Sequence, residues 1–394
     1  MIEAVLTLNA GSSSLKFALF PARGDLPLAT GMADRIGPEG TLHLREGTGQ
    51  VLTARPGDLS THAGAVSAVI DSLCTAHPGL VLRAVGHRVV HGGAVHAAPV
   101  TLTGAIMDEL AALAPFAPLH QPHNLSGIRA ATEAFAGVPQ IACFDTAFHR
   151  NQPWVNDTFA LPRAMYDEGV RRYGFHGISY EYIAGALGVL APDLAQGRVV
   201  VAHLGNGASM CAIHQGRSVA STMGFSTLDG LAMGTRCGQI DPGVLLYLMD
   251  QKGMTAGQIA DLLYRQSGLL GLSGLSNDMR VLEASPGLHA AQAIEYFVMR
   301  CQRELGSMAA ALGGIDAVVF TGGMGENSQR VRALICARLG WMGIEIDADR
   351  NAAHAQVISS DLARTAVLII PTNEELVIAR AARAAVGLTD QAAA

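Results

Sequence analysis

The sequence predicts an α/β protein built from two related lobes. Short apolar runs typical of strands alternate with longer segments of helical periodicity. A strand–turn–strand pattern near the start of the chain also recurs in its second half. The length of 394 residues agrees with this division, because roughly 150 residues per domain would give two or three domains.

The strand predictions rest on short apolar runs, several of which end directly in polar or glycine-rich turns. The predicted strands are Ala4–Leu8, Leu15–Phe20, Ala84–Val90, Gln140–Phe144, Arg198–Ala202, Ala317–Phe320 and Ala366–Ile370.

The helix predictions rest on apolar residues that recur on one helical face, as Ala63, Val66, Ile70 and Leu73 do. The predicted helices are Ser60–Ala76, Ile106–Leu113, Asn124–Phe135, Ile178–Leu187, Ala290–Leu312, Ser328–Leu339 and Asn373–Val386. An extended loop is expected around Gly37–Asp58, and the alanine-rich tail after Thr389 carries no structural signal.

The recurring pattern is a hairpin around a small-residue turn. Residues 6–20 read LTLNAGSSSLKFALF, and residues 199–219 read VVVAHLGNGASMCAIHQGRSV. Each stretch is a strand, a glycine turn and a second strand. The repetition predicts two related lobes, each of which offers a glycine turn to a shared cleft.

Composition excludes several classes of protein. Hydrophobic residues make up 49% of the chain and charged residues 15%, so wholesale disorder is excluded. The net charge of −6 does not support a general affinity for nucleic acid or acidic membranes. No apolar run approaches the length of a transmembrane helix, and the first residues do not read as a signal peptide. The six cysteines lack C-x-x-C or zinc-finger spacing, so we expect a cytoplasmic protein without disulfides.

The turn from Asn9 to Lys16 is the first candidate binding site. Its small residues let backbone N–H groups approach a phosphate, and its hydroxyls and one ammonium add donors. Lys16 is one of two lysines, with Lys252, among 27 basic residues. The pattern is not a Walker P-loop, and an ordinary hairpin turn is the alternative. The scarcity of lysine elsewhere favours anion binding.

Two further glycine turns follow predicted strands, at His203–Gly207 and at Phe320–Asn327. Glycines at the carboxyl end of a strand often mark the close approach of a nucleotide. The spacing of Gly322, Gly323 and Gly325 differs from the dinucleotide pattern GxGxxG. Three such turns in one chain indicate a phosphate-rich ligand.

Arginine, histidine and aspartate side chains stand between glycines or at strand ends in four segments: residues 86–93, 144–149, 173–177 and 234–242. Arginine forks suit carboxylate or phosphoryl oxygens, whereas capped turns and satisfied core histidines are the structural alternative. The histidines lack zinc-site spacing. Oxygen ligands such as Asn9, Asp145 and Glu374 suit Mg²⁺ instead.

Taken together, the motifs resemble those of the acetate kinases, with the propionate kinases in the same acetokinase family of short-chain acyl kinases. The matching stretches run in order from residue 8 to residue 376: LNAGSSSLK, GHRVVHGG, PLHQPHN, FDTAFH, RRYGFHG, HLGNG, GFSTLDGLAMGTRCGQIDPG, FTGGMGEN and PTNEEL. The resemblance therefore covers nearly the whole chain.

The resemblance implies the α/β fold of the actin- and hexokinase-like phosphotransferases, in which two ribonuclease-H-like lobes surround a cleft. The first lobe would be residues 1–147, completed by the C-terminal helix 375–394. Residues 148–374 would form the second lobe and carry most of the ATP site. Family members are typically homodimers.

The resemblance also implies residue roles. Asp145, His176 and Arg236 match catalytic residues, with His120 in a supporting role near the cleft, and Asn9 and Glu374 match the magnesium site. Arg88 matches the carboxylate-binding arginine, and Val90, Leu119 and Phe175 would line a pocket for the methyl group. The residues that match the ATP site are Ser12, Ser14, Lys16, His203, Leu204, Gly205, Asn206, Gly207, Asp278, Met279, Arg280, Gly323, Met324, Gly325, Glu326 and Asn327.

The implied reaction is the reversible, Mg²⁺-dependent (or Mn²⁺-dependent) in-line transfer of a phosphoryl group from ATP to acetate, giving acetyl phosphate and ADP. Arg88, Arg236 and His176 would complement the charge on the transferring group. Acetate is already ionised at pH 7, so it needs no general base. We therefore expect Asp145 to act through magnesium and positioning.

Three alternatives stay open at this point. Thr227 replaces the proline usual in the family's acetate enzymes, so a propionate kinase is the first alternative. One methylene changes binding in an apolar pocket by only about 1–3 kcal/mol. A non-catalytic, actin-like ATP switch would explain the glycine turns but not Arg88, His176 and Arg236 together. A nicotinamide oxidoreductase would need GxGxxG after an early strand, which is missing here.

Overall fold

The computed structural model describes residues 1–11, 14–37, 39–52, 58–118 and 120–388. Two predicted site residues, Ser12 and Leu119, lie outside these ranges, as does the tail from Thr389. The strands are β1 (Ile2–Ala10), β2 (Ser14–Pro21), β3 (Ala29–Asp34), β4 (Thr41–Glu46), β5 (Val51–Leu52), β6 (Leu80–Val89), β7 (Val100–Thr101), β8 (Gln140–Phe144), β9 (Arg198–Leu204), β10 (Ala208–His214), β11 (Arg217–Ser221), β12 (Ala317–Thr321) and β13 (Ala366–Ile369).

The α-helices are α1 (His62–Ala76), α2 (Gly104–Ala112), α3 (Gln121–Ala134), α4 (Trp154–Asp157), α5 (Arg163–Asp167), α6 (Gly177–Leu190), α7 (Pro192–Ala195), α8 (Pro242–Asp250), α9 (Ala256–Arg265), α10 (Gly268–Ser273), α11 (Met279–Ala284), α12 (Leu288–Leu312), α13 (Gly322–Asn327), α14 (Gln329–Cys336), α15 (Ala348–Ala352) and α16 (Glu374–Ala385). Short 3-10 turns occupy Ala114–Phe116, Ala147–His149 and Gly340–Met342. Among the helices of these ranges, none combines the length and apolar character that a bilayer span requires.

The chain divides into two compact units, one of residues 1–148 with 373–394 and the other of residues 149–372. The sheet of the first unit has the strand order β5-β4-β3-β2-β1-β6-β8-β7. Strands β1 to β5 form an antiparallel meander, whereas β6 lies parallel to β1 and β8 lies parallel to β6. The second unit repeats the central part of this order as β11-β10-β9-β12-β13, with the same strand directions.

Strand β1 is buried along most of its length because helices cover both of its faces. Leu6 and Leu8 belong to the apolar core that Val66 and Val69 of α1 complete. Side chains alternate along a strand, so the odd-numbered residues of β1 face the opposite side. There α16 packs against β1 and β6.

The C-terminal helix α16 is capped at its start and anchored to the first unit near its end. At its start, the side chain of Asn373 accepts a hydrogen bond from the Leu376 backbone N–H. Towards its end, the buried Arg383 donates to the Pro21 carbonyl at 2.9 Å and pairs with Asp25 at 3.3 Å. These contacts hold Glu374, in the first turn of α16, beside the sheet.

Each predicted strand and each predicted helix overlaps an observed element. The prediction of an extended loop around Gly37–Asp58 was wrong, because β4 and β5 lie there and continue the sheet from β3. Only alternate residues of β4, such as Leu42 and the buried Leu44, pack on the core, so the strand leaves a short and interrupted apolar pattern. The glycine turn after β12 also differs from expectation, since its residues form the short helix α13.

Candidate active site

The first unit gathers polar side chains at the carboxyl ends of its parallel strands. Asn9 is near the end of β1, Arg88 is near the end of β6, and Asp145 directly follows β8. Nε of Arg88 donates to both carboxylate oxygens of Asp145, at 2.9 and 3.1 Å, and Nη2 donates to Oδ2 at 2.6 Å. Nη1 of Arg88 donates to the side-chain oxygen of Asn9 at 3.4 Å. The sheet therefore brings these three predicted residues into one cluster.

Negative charge surrounds the guanidinium of Arg88. Its side chain is 21% exposed, and that of Asp145 is 2% exposed. Burial by itself would lower the pKa of Arg88, but the carboxylates of Asp145, Glu374 and Glu375 outweigh burial and raise it. Arg88 therefore stays a cation. Glu374 and Glu375 occupy the first turn of α16, where the helix dipole favours negative charge.

Lys16 lies directly opposite Asn9 in the β1–β2 ladder, so the two side chains share one face of the sheet. Lys16 is exposed although the rest of β2 is largely buried. The turn before it is closed by a hydrogen bond from the Gly11 N–H to the Ser14 carbonyl, at 2.8 Å. The carbonyl of Gly11 in turn lies 2.7 Å from Nε2 of His62. Sequence reasoning did not single out His62.

Asn124 links β1 to the segment that carries Val90. Its side-chain oxygen accepts from the Val90 N–H at 3.0 Å, and its amide donates to the Ala10 carbonyl at 2.6 Å. Val90 is 4% exposed, and His120 lies at the N-cap of α3, the helix that contains Asn124. Sequence reasoning missed Asn124, although the motif PLHQPHN contains it and was its one signal.

In the second unit, His176 and His203 form a stacked pair of imidazoles. Their ring centres are 4.4 Å apart and the rings are inclined by 21°. Nδ1 of His176 is 2.8 Å from the hydroxyl of Ser209, and Nδ1 of His203 is 2.8 Å from the hydroxyl of Ser179. His176 adopts the left-handed conformation (φ 57°) at the N-cap of α6, an uncommon state for a residue other than glycine.

Gly207 marks the point where His176 and Arg236 converge. A Cβ atom on Gly207 would lie 3.3 Å from Nε2 of His176 and 3.8 Å from Nη1 of Arg236. The absence of a side chain at this position keeps the space beside both groups open. Arg236 is oriented by a hydrogen bond from Nη1 to the Thr227 carbonyl, at 3.2 Å. Phe175, which precedes His176, is 1% exposed.

The segments predicted to bind ATP meet around a pocket of about 520 Å³ within the second unit. Eight of the residues predicted to bind ATP line it: Gly205, Asn206, Asp278, Met279, Arg280, Gly323, Met324 and Asn327. Sequence reasoning missed three further lining residues: Asn277, Glu283 and Ser328. Pockets of this size hold small organic ligands and cofactors.

Side-chain hydrogen bonds shape the rim of this pocket. The amide of Asn277 donates to the side-chain oxygen of Asn206 at 3.3 Å, and the hydroxyl of Ser328 donates to Glu283 at 2.7 Å. Asp278 caps α11 by accepting from the Arg280 N–H at 2.9 Å. The hydrogen bonds from Arg280 lower the pKa of Asp278, so this carboxylate is ionised at neutral pH.

Other predicted nucleotide residues support the pocket without lining it. Leu204 is fully buried, and Gly325 belongs to the buried face of α13. The carboxylate of Glu326 accepts from the Gly322 N–H at 2.8 Å and from the Thr372 N–H at 3.2 Å. Glu326 therefore fixes the turn after β12.

Arg332 holds the other end of the same helix, and sequence reasoning missed it. Nη1 donates to the carbonyls of Gly325 and Glu326, at 2.9 and 2.8 Å, and Nε donates to the side chain of Asn351 at 2.8 Å. Arg332 is fully buried, and burial lowers its pKa. It anchors the end of α13 that follows Gly323.

The donor set of the first unit suits a magnesium ion in part. Asn9, Asp145 and Glu374 offer hard oxygen donors, which Mg²⁺ prefers. Within the described ranges, no cluster of three or more His, Cys, Asp or Glu side chains has a metal-binding arrangement. Mg²⁺ usually takes one or two protein carboxylates together with substrate phosphates and water.

Known proteins resemble this chain over most of its length. The sequence model of the Acetokinase family matches residues 4–380. An acetate kinase from Methylocella silvestris is 56% identical over 406 residues, which cover 100% of this chain and 100% of that protein.

Solved structures of two kinases illustrate the similarity over almost the whole chain. A propionate kinase from Francisella tularensis has 34% identity and a TM-score of 0.91, covering 97% of this chain and 100% of that one. Porphyromonas gingivalis acetate kinase has 37% identity and a TM-score of 0.87, covering 97% of this chain and 99% of that one. The protein therefore has the α/β fold of these enzymes, and it belongs to the acetokinase family of kinases.

Proposed function

We propose that this acetokinase-family enzyme transfers a phosphoryl group reversibly and in line between ATP and acetate, giving acetyl phosphate and ADP. The observation that supports this most is the turn Gly205–Gly207. On one side Gly205 and Asn206 line the 520 Å³ pocket, and on the other Gly207 lies beside His176 and Arg236. One short turn thus connects a nucleotide-sized pocket to two groups that suit a phosphoryl group in transfer.

Arg88 binds the carboxylate of acetate in this proposal. Asp145 engages Nε and Nη2 of its guanidinium, which fixes the plane of the group. Nη1 carries two N–H groups, and it reaches Asn9 with a long hydrogen bond of 3.4 Å. An arginine held in this way offers a carboxylate a preorganised donor at little entropic cost.

Asp145 acts as a positioning residue and not as a general base. Acetate is ionised at pH 7, so no proton has to be removed before it attacks phosphorus. The carboxylate of Asp145 is buried and receives three hydrogen bonds from Arg88. Its negative charge stabilises the buried guanidinium, and its two oxygens set the orientation.

Asn9, Glu374 and Asp145 would hold Mg²⁺ (or Mn²⁺) together with the phosphates of the nucleotide. The bound ion would supply positive charge against the phosphate oxygens. Lys16, on the same face of the sheet as Asn9, would add an ammonium. His176 and Arg236 would donate hydrogen bonds to the equatorial oxygens, where the charge of the transferring group is spread.

Propionate is the alternative acceptor. The similarity to a propionate kinase with a TM-score of 0.91 keeps it open, as does Thr227 at a position where proline is usual in acetate enzymes. Thr227 is 9% exposed and its carbonyl orients Arg236, so a change at this residue acts close to the reacting groups. Val90 is buried and larger than an alanine, which favours the smaller acid.

A homodimer in the cytoplasm completes the proposal. Helix α8 is rich in apolar residues, yet none of its residues is buried. Leu246 is 60% exposed and Tyr247 is 50% exposed. Exposed apolar helix faces of this kind commonly mark protein interfaces. Light scattering should give twice the chain mass for the native protein, and Leu246→Asp should shift it towards the monomer. A native monomer would contradict this part of the proposal.

The test of the reaction is a hydroxylamine trap for acyl phosphate. The protein is incubated with ATP, Mg²⁺ and either acetate, propionate or butyrate. We expect acyl hydroxamate from acetate well above that from propionate, and least from butyrate. Equal or better trapping with propionate would change the substrate to propionate and direct attention to Thr227. No hydroxamate from any acid, with ATP binding intact, would favour a non-catalytic nucleotide switch.

A further inference from the structure

Tyr180 is a buried phenol that the proposed reaction leaves without a role. It lies in the first turns of α6, four residues after His176, and is fully buried. Its hydroxyl is 2.5 Å from the hydroxyl of Ser209, which is itself 2.8 Å from Nδ1 of His176. The three groups form a continuous hydrogen-bonded chain within the second unit.

The direction of this chain follows from the donors available. Burial raises the pKa of Tyr180 well above its ordinary value, so the phenol keeps its proton. In the part of the chain that the structure describes, Ser209 provides the acceptor that the Tyr180 hydroxyl meets. A buried hydroxyl that failed to donate would lose a hydrogen bond that water supplies in the unfolded chain. Tyr180 therefore donates to Ser209.

The hydroxyl of Ser209 can then donate its own proton to its other partner. An oxygen that accepts from Tyr180 turns its own hydrogen towards the second partner, which is Nδ1 of His176. A neutral imidazole whose Nδ1 accepts a hydrogen bond carries its hydrogen on Nε2. We infer that Tyr180 and Ser209 are positioning residues that fix His176 in the Nε2–H tautomer.

This tautomer suits the place that Nε2 occupies. Nε2 faces Gly207, where a Cβ atom would be 3.3 Å away, and Arg236 reaches the same point. With hydrogen on Nε2, His176 is a donor towards an anionic oxygen at this point without having to be protonated. With hydrogen on Nδ1, it would present a lone pair to the same oxygen and repel it. The consequence for catalysis rests on the proposed phosphoryl transfer. The assignment of the tautomer rests only on the hydrogen bonds of Tyr180, Ser209 and His176.

The neighbouring His203 offers an internal comparison. Its Nδ1 also meets a serine hydroxyl, that of Ser179, but Ser179 continues to the hydroxyl of Thr372 at 2.9 Å. In that chain Ser179 donates to Thr372, and no tyrosine proton sets its direction. The stacked rings thus have similar first partners and different second partners.

The experiment is a long-range proton–nitrogen NMR spectrum of the full-length protein labelled with ¹⁵N-histidine. It is recorded near pH 8, where an ordinary imidazole is neutral. The signals of His176 are identified by their loss in His176→Gln. We expect a non-protonated Nδ1 and a protonated Nε2 in the native protein. A protonated Nδ1 would overturn the inference whatever the activity of the enzyme.

Tyr180→Phe removes one oxygen and keeps the ring, and Tyr182→Phe on the same helix is its matched control. We expect Tyr180→Phe to mix the two tautomers of His176 and to lower kcat about tenfold, with KM values for acetate and ATP within about twofold. Tyr182→Phe should change neither the spectrum nor kcat.

Ser209→Ala should produce the same change of tautomer with a larger fall in kcat. If this variant does not fold, the spectrum and kcat of Tyr180→Phe alone test the inference. A fall in kcat without a change at His176 would indicate a merely structural role and would overturn the inference. Because the spectrum needs no substrate, failure of the tautomer and failure of the hydroxylamine trap are separate results.

Discussion

The two units have the same central strand order, but they hold charge in different ways. In the first, the ends of β1, β6 and β8 bring together Asn9, Arg88 and Asp145, and the cation is fixed by a buried carboxylate. In the second, His176 and Arg236 are oriented by a serine hydroxyl and a backbone carbonyl. The same topology therefore supports two kinds of site: strand ends carry the charged groups of the first unit, whereas a helix N-cap and a loop carry those of the second.

The difference has an energetic meaning. A buried ion pair is costly to break, because the remaining charge loses its partner. A hydroxyl or carbonyl partner carries no net charge. The positive charge of Arg236 and the Nε2 hydrogen of His176 can therefore act on a substrate. We therefore expect residues of the first cluster to affect both stability and activity, and residues of the second to affect chiefly activity.

The largest effect is expected for Arg88→Ala. The variant loses the donor for acetate and leaves the carboxylate of Asp145 buried without its guanidinium partner. We expect kcat/KM to fall by a factor on the order of 10³ and the unfolding free energy to fall by about 3 kcal/mol. Hydroxamate trapping and urea unfolding measure the two changes. Full activity would exclude Arg88 from the acetate site.

Gly207→Ala tests the open space in the second unit. Its Cβ would lie 3.3 Å from Nε2 of His176, so the methyl group would occupy the place of a substrate oxygen. We expect kcat to fall by about 10² with little loss of stability. The matched control is Gly188→Ala in α6, where a Cβ meets no atom within 4 Å. Equal activity in both variants would remove Gly207 from the site.

Asp145→Asn tests the role of the carboxylate as a positioning group. An amide keeps one acceptor oxygen for Arg88 but loses the negative charge and the second oxygen. We expect a fall of about tenfold in kcat/KM for acetate and an increased requirement for Mg²⁺. Activity measured against the concentration of acetate and, separately, of Mg²⁺ distinguishes the change in kcat/KM from the change in the Mg²⁺ requirement. A variant that keeps most of its kcat at saturating Mg²⁺ would contradict any need for charge at this position.

The smallest effect concerns acid stability, and here the units resemble each other. Burial lowers the pKa of His87 in the first unit to about 4 and that of His149 in the second to about 3, from an ordinary value of 6.5. Both histidines are neutral in the folded state, and the unfolded chain takes up protons first. Their contribution to stability is complete above pH 6.5 and is lost as the pH falls towards 4 and then 3.

Urea unfolding between pH 8 and pH 4 measures this loss. The slope of the unfolding free energy should approach one proton per buried histidine. His87→Gln should reduce the slope by the contribution of one histidine. An unchanged slope in His87→Gln would show that other groups cause the acid sensitivity.

Much of the fold could be predicted from the sequence. The apolar runs located the strands that later carry Asn9, Arg88 and His203, because a strand buried on both faces has to be apolar along its length. Helical periodicity located α1, α12 and α16 for the same reason. Strands β4 and β5 were missed, since only alternate residues such as Leu42 and Leu44 pack on the core and the apolar pattern is therefore short and interrupted.

The candidate site was predictable only in part. Glycine turns and charged residues between glycines pointed to Gly207, Asp145 and Arg236. Asn124, Arg332 and Tyr180 gave little signal, because an amide, an arginine or a tyrosine on a helix is ordinary in sequence. Their importance comes from what they contact, and those contacts join residues 19 to 114 positions apart in the chain.

The sequence by itself determined the positions of the main elements, the repeated hairpin and the resemblance to the acetokinase family. Hydrophobic periodicity and ordered motifs are local, so they can be read without coordinates. Only the tertiary structure decided that Arg88 is fixed by Asp145, that three separate segments line one pocket, and that Tyr180 reaches His176 through Ser209. Hydrogen bonds act over about 3 Å, and packing alone brings these groups that close.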